Sequence, residues 1–322
     1  MDSIRANMKP LSRSLFLGTL PVLGAATALP AFGQAQAPLT VRVGATANDT
    51  YAEAYYAQDM GFFTKGGLTV ELTTFTNGAA VSQAVASGAL DIGISNPVQL
   101  GNAISHGIPF VFLAGAGAYS TSLPTTVLCV AKDGPIHVAK DFAGQTIAVS
   151  ALKDLTDLAQ QQYLEKNGVD TSTVKTIELP FAEMGPALAR GTVAGAVISE
   201  PSLSASVVSG QTRVFTKVFD AVAQHFLISV WFTTRDWYSK NTVAAKRYAA
   251  VMYQTANWAN ANRDQSAAIL EKYSKISDTT TKQMARSSYA TTLNPQLIDP
   301  VFALAYKAKI TDRLLTAASV SA

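Results

Sequence analysis

The chain has 322 residues, 48% of them hydrophobic and 15% charged, too apolar for disorder and long enough for one large or two medium cores. Lys plus Arg number 25 against 22 Asp plus Glu, and this +3 balance is scattered singly, which excludes a concentrated basic face for nucleic acid. One cysteine, Cys129, excludes an intramolecular disulfide and a cysteine-rich metal site. His106, His137 and His225 stand too far apart for metal hydrolysis, so no metal or cofactor is expected.

Arg5, Lys9 and Arg13 precede an apolar run from Leu15 to Gly24, which continues to the small-residue tract Ala35-Gln36-Ala37. A basic head, an apolar middle and an A-x-A exit form a secretory signal over residues 1–37. Pro21, Pro30 and the glycines argue against a spanning helix, which wants ~20 unbroken apolar residues. The product is expected in the periplasm, freed by cleavage after Ala37 or, as the alternative, after Ala35.

Leu39–Val43 alternates apolar and polar side chains and meets Gly44, as a strand ending at a loop does. Thr50–Met60 has helical spacing and stops at Gly61. Leu68–Phe75 predicts a second strand, Ala79–Ser87 a short helix closed by Gly88, and Leu90–Ser95 a third strand. Pro97 opens another helix.

The pattern then recurs. Thr146–Val149, Val174–Leu179 and Gly195–Ser199 read as strands, with helices at Leu155–Lys166 and around Ala187–Arg190. The tail Ala84–Ser95 aligns with Ala187–Ile198. Repeated strand–helix–strand–helix–strand units imply two α/β lobes with mainly parallel sheets. A single dinucleotide-binding domain would need a G-x-G-x-x-G that is absent. Thr125–Val130 and Leu227–Thr233 read as strands linking the lobes. Helices are expected at Asn241–Ala261, Arg263–Tyr273, Thr281–Tyr289 and Val301–Lys309, capping the first lobe. The expected division is residues 38–123 with 234–322 for lobe 1, and 124–233 for lobe 2.

Four segments carry a resemblance. Tyr56–Leu72 is similar to the A-x-x-x-G-F-F-x-x-x-G-L-x-V-E segment of periplasmic solute-binding proteins that serve alkanesulfonate, nitrate, taurine and pyrimidine-precursor importers. Ala84–Gly93, Lys140–Val149 and Ser199-Glu200-Pro201 resemble that family's later segments in the same order, although Ser199 stands where relatives usually carry an aromatic. The resemblance implies a type II periplasmic-binding fold with two lobes, two crossing strands and a ligand in the cleft. It also implies a non-catalytic, monomeric receptor that delivers a small solute to an ABC permease in the inner membrane. Sulfonate, nitrate, taurine or a similar organic anion leads; a pyrimidine precursor or aromatic acid is the alternative. A synthase of the same fold that makes thiamine's pyrimidine would need a cysteine-rich iron motif, and only Cys129 is present.

In open α/β sheets ligands sit beyond the carboxyl ends of strands, where helix N-termini offer free N–H groups. The candidate ligand residues at those ends are Asn48, Tyr51, Asn77, Gly78, Ser95, Asn96, Ser150 and Lys153, with Tyr119 near a hinge and Glu200 before Pro201. Asp49 and Thr50 are expected to cap the following helix. Lys153 is the one cation in a predicted cleft loop, and Glu200 is expected to brace its loop or bind an amine. Trp231 is a candidate aromatic wall.

Overall fold

A computed structural model of the chain describes residues 39–322; the export signal read at residues 1–37 lies outside the described residues. The chain first lays down β1 (Leu39–Thr46), α1 (Glu53–Asp59), α2 (Phe62–Lys65), β2 (Leu68–Phe75), α3 (Gly78–Ala86), β3 (Ile92–Ser95), α4 (Pro97–Ser105) and β4 (Phe110–Gly115). β2 alternates between buried and open positions and forms a sheet edge. β3 and β4 are apolar without alternation and buried along their whole length, as strands covered on both faces are.

After β5 (Gly117–Ser120) come β6 (Thr126–Ala131), β7 (Thr146–Val149), α5 (Leu155–Lys166), β8 (Lys175–Glu178), α6 (Phe181–Ala189), β9 (Gly195–Ser199), α7 (Ser202–Val208), β10 (Thr212–Thr216) and β11 (His225–Leu227). The chain ends with β12 (Val230–Thr234), α8 (Arg235–Lys240), α9 (Thr242–Ala261), α10 (Arg263–Ser274), α11 (Asp278–Gln283), β13 (Ser288–Tyr289), α12 (Asp299–Lys307) and α13 (Ala317–Val320). Among the described residues no helix is long and apolar enough to cross a membrane.

The repeat read in the chain becomes two sheets of matching order, β2-β1-β3-β12-β4 and β8-β7-β9-β6-β10. In each, three strands run parallel and the fourth runs against its neighbours. β6 and β12, expected as linkers, are these antiparallel fourth strands. The passage between the sheets falls instead to β5 and β11, which pair with each other, Phe226 opposite Tyr119. The helix expected over Thr281–Tyr289 is split: α11 ends at Gln283, and Ser288–Tyr289 joins β5 as a third strand. Pairing with an open strand edge there overrides the local helical pattern.

Most of the C-terminal helices pack on the first sheet's side, while α11 reaches α7 of the second half. α9 lies against α1 and β4, with Tyr248 stacked on Phe63 and Trp258 edge-on to Phe62. β4 is an edge strand that the last residues shield: the N–H of Ala322 donates to the Phe112 carbonyl at 3.0 Å. Cys129 is buried in the second half's core among Met184, Leu188 and Ile198, and burial pushes its thiol up to about 12.

Candidate functional site

A cavity opens where the carboxyl ends of both sets of parallel strands meet. Asn48, Thr50, Tyr51, Asn77, Gly78 and Asn96 reach it from the loops after β1, β2 and β3. Thr126, Ser150, Asp154, Leu155, Thr156, Phe181 and Ser199 reach it from the second sheet, and Phe219 and Ile228 complete the wall. The interior is tight, about 30 Å³, inside an envelope of about 400 Å³ that includes the mouth. That interior holds on the order of two water-sized spheres.

Helix caps shape the walls. Asn77 Oδ1 accepts from the Ala80 N–H at 2.9 Å, and Asn96 Oδ1 from the Gln99 N–H at 2.8 Å, which starts α3 and α4 at the cavity. α3 comes so close to β3 that a Cβ on Gly78 would lie 2.6 Å from Ser95 Oγ, so only glycine fits without movement. The other amide atom of Asn77, Nδ2, donates to the Ser150 carbonyl at 3.2 Å and ties the two walls together.

Opposite, Asp154 caps α5. Its Oδ1 accepts from the N–H groups of Thr156 and Asp157 at 2.8 and 3.0 Å and from Thr156 Oγ1 at 2.6 Å. Its Oδ2 accepts from Ser150 Oγ at 2.5 Å. Burial pushes this carboxyl up to about 6 against the pull of those donors. Tyr51 is also pushed up, chiefly by burial and then by the charge of Asp154, while the Asn96 amide acts on it as a hydrogen-bond partner. The lining holds no Lys, Arg or His, so its formal charge is the single negative of Asp154.

Beyond the mouth lies a wider hollow of about 690 Å³ that shares Asn48 and Phe181 with the cavity. Phe75, Pro180, Pro201, Tyr273 and Ile276 give it a largely apolar surface.

Of the expected residues, Asn48, Tyr51, Asn77, Gly78, Asn96 and Ser150 are brought together at the cavity. Four are placed elsewhere. Ser95 is buried behind Gly78 with its Oγ unpartnered. Tyr119 sits in the core between Phe219 and Phe226 and donates to Asp220 at 2.7 Å. Lys153 is exposed, on a left-handed turn (φ 58°) whose N–H donates to Asp157. Glu200 is buried outside the lining and braces α7, accepting from the N–H and Oγ of Ser204 at 3.0 and 2.8 Å. Trp231 is no cleft wall either: it is fully buried and its indole donates to Glu53 at 2.9 Å.

Thr50, Thr126, Asp154, Thr156, Phe181 and Ser199 were not among the expected ligand residues. The repeat itself points to one of them, since Phe181 opens the helix after β8 as Gly78 opens the helix after β2. Asp49 does not cap a helix side chain to backbone. It forms a buried ion pair with Arg286, Nε to Oδ1 at 2.9 Å, accepts from the Ser287 N–H, and lies beside Tyr56 and Tyr289.

Comparison with known proteins places this geometry. A binding protein of Brucella abortus is 26% identical over 270 residues, 83% of this chain and 78% of that protein. The taurine-binding periplasmic protein of Escherichia coli is 28% identical over 192 residues, 59% of this chain and 58% of that one. The structure of the alkanesulfonate-binding protein of Xanthomonas axonopodis pv. citri, bound to MOPS, superposes with a TM-score of 0.76 at 16% identity, covering 88% of this chain and 98% of its own. The α/β architecture, sheets flanked by helices, is therefore the periplasmic-binding-protein fold. Residues 48–266 match the family described as NMT1/THI5 like, and the chain belongs to that family.

Proposed function

We propose that the chain is the periplasmic solute receptor of an ABC import system, exported by its N-terminal signal and without catalytic activity of its own. Residues 38–123 with 234–322, and residues 124–233, act as two lobes that close on a small solute in the cavity and present the closed form to a membrane permease. The observation that carries this reading is the cavity itself, built from loop ends of both sheets and bridged by Asn77 to Ser150. Its tightness fits a closed form that must open to admit a ligand. Candidate ligand contacts are Asn48, Tyr51, Asn77, Gly78, Asn96 and Ser150. The names of the relatives in Escherichia coli and Xanthomonas support sulfonates and taurine as first candidates.

A thermal-shift panel of taurine, alkanesulfonates, nitrate, aromatic acids and pyrimidines tests it. A bound solute at 100 times its dissociation constant adds ~2.7 kcal/mol to stability, a rise of several degrees for a chain of this size. A panel in which nothing shifts the midpoint overturns the solute class. Consumption of any solute would overturn the receptor.

A further inference from the structure

The corner between α10 and α11 is fastened to the first half at both of its ends. At one end Asp59, the last residue of α1, accepts from Lys272 Nζ at 3.0 and 2.9 Å and from the Tyr273 hydroxyl at 2.6 Å. The Tyr273 ring lies 4.5 Å from that of Tyr55, centroid to centroid. At the other end Arg286 and Ser287 hold Asp49, and Arg286 Nη1 donates to the Arg263 carbonyl at 2.9 Å. Between these ends Lys275 turns the chain left-handed (φ 59°) and stops α10 abruptly. Thr281 Oγ1 donates to Glu271, which closes α11 back onto α10.

The tip of this corner crosses to the second half. α11 lies against α7. Ile276 shares one hollow with Phe181, Gly185 and Ala205 of α6 and α7, and it lines the wide hollow at the cavity mouth together with Tyr273, Pro180 and Pro201. Glu200, just after β9, pins the same crossing. Its carbonyl accepts from the Asp49 N–H at 3.1 Å, and its buried carboxyl, already bonded to Ser204, also takes the Ala285 N–H as a partner. Asp59, Lys272, Ile276, Ala285 and Glu200 all lie outside the cavity lining, so these contacts need no solute to complete them. Contacts between two moving halves that leave the solute out bias the closing equilibrium by their own free energy.

We infer that residues 275–285 form a clasp that draws the two halves together before any solute binds, so that the clasp must let go for the mouth to open. This deepens the receptor reading and rests on its two lobes. Glu200 is a positioning residue in it, acting on closure and touching no solute.

The distance between the halves, measured on the exported chain with no solute added, tests it. Val138 and Val243 are each 57% exposed, one on each half and both outside the clasp. Cysteines placed at these two positions take nitroxide labels cleanly, because the native Cys129 is buried with its thiol pushed up to about 12. Double electron–electron resonance on the labelled pair is expected to give one dominant short distance. Glu200→Gln removes one of the two accepting oxygens and should lower the ratio of short to long distances about tenfold, the size of one buried hydrogen bond left unmade. Ile276→Ser trims the tip and should lower the same ratio roughly fivefold, as losing part of an apolar side chain's burial does. A dominant long distance in the unaltered chain overturns the clasp, and so does a distribution that neither variant moves. Should Glu200→Gln fail to fold, Ile276→Ser, at a half-buried position, decides the matter alone. A clasp that fails while a solute of the thermal panel still raises the melting midpoint leaves the receptor standing. One fixed distance in every variant, together with a panel that shifts nothing, overturns both.

Discussion

The backbone N–H of Asp49 donates to the carbonyl of Glu200 at 3.1 Å, joining the loop after β1 to the loop after β9. The same residue holds Arg286 through its side chain, with side-chain exposures of 0% and 10% for the pair. Asp49 is thus a node between three distant parts of the chain. Asp49→Ala leaves a buried guanidinium without its counter-charge, and a loss of ~3–5 kcal/mol is expected in denaturant unfolding. A loss below ~1 kcal/mol would show that Arg286 finds another partner.

Asn77 performs two separable tasks, capping α3 and reaching Ser150 across the cavity. Asn77→Asp retains a capping oxygen and removes the donor to Ser150. It should leave the melting midpoint close to that of the unaltered protein while the ligand-free chain scatters X-rays with a larger radius of gyration. Asn77→Ala should lose the cap as well, at ~1 kcal/mol. Identical radii for all three proteins would mean the Asn77–Ser150 bond does not hold the walls together.

Gly78→Ala puts a methyl group against Ser95 Oγ and the β3 backbone. Overpacking of this kind costs ~1–3 kcal/mol, and here the strain falls on the cavity wall, so solute affinity should drop with stability. Gly78→Ala combined with Ser95→Ala relieves the shortest contact and should recover part of both. No change in affinity for the single variant would place α3 outside the binding surface.

Stability should fall as pH rises from about 4.5 to about 8. Burial pushes Glu53 up to about 8 from 4.5, only partly opposed by the Trp231 indole, and its Oε1 has no partner. A carboxyl whose folded pKa is raised contributes its stability fully below the unfolded value and loses it as pH passes through the folded one. Glu200, up to about 7, and Asp154, up to about 6, are raised by burial too and act in the same sense. Glu53→Gln keeps an acceptor for Trp231 and should flatten the slope in urea unfolding between those limits. An unchanged slope would assign the effect to the other two carboxyls.

The repeat was legible because local punctuation carries it. Asn77 and Asn96 announce their caps within three residues, and the apolar runs of β3 and β9, each closed by a serine, mark covered strands. What was not legible depends on partners far along the chain. Lys153 looked like a cleft cation, but the Asp154 cap and the Asp157 bond turn its backbone left-handed and its side chain into solvent. Asp49 and Arg286 are 237 residues apart, so no spacing could pair them. β5 and β11, at four and three residues, are too short to show any periodicity.

One consequence of the strand order concerns synthesis. β12 lies between β3 and β4, yet it begins at Val230, after every strand of the second sheet has been made. Residues 126–216 contain all five strands of that second sheet. Since halves of a chain fold as units while they emerge, the later-made sheet is the earlier one able to close. β4 must wait beside an empty lane until the chain returns to fill it.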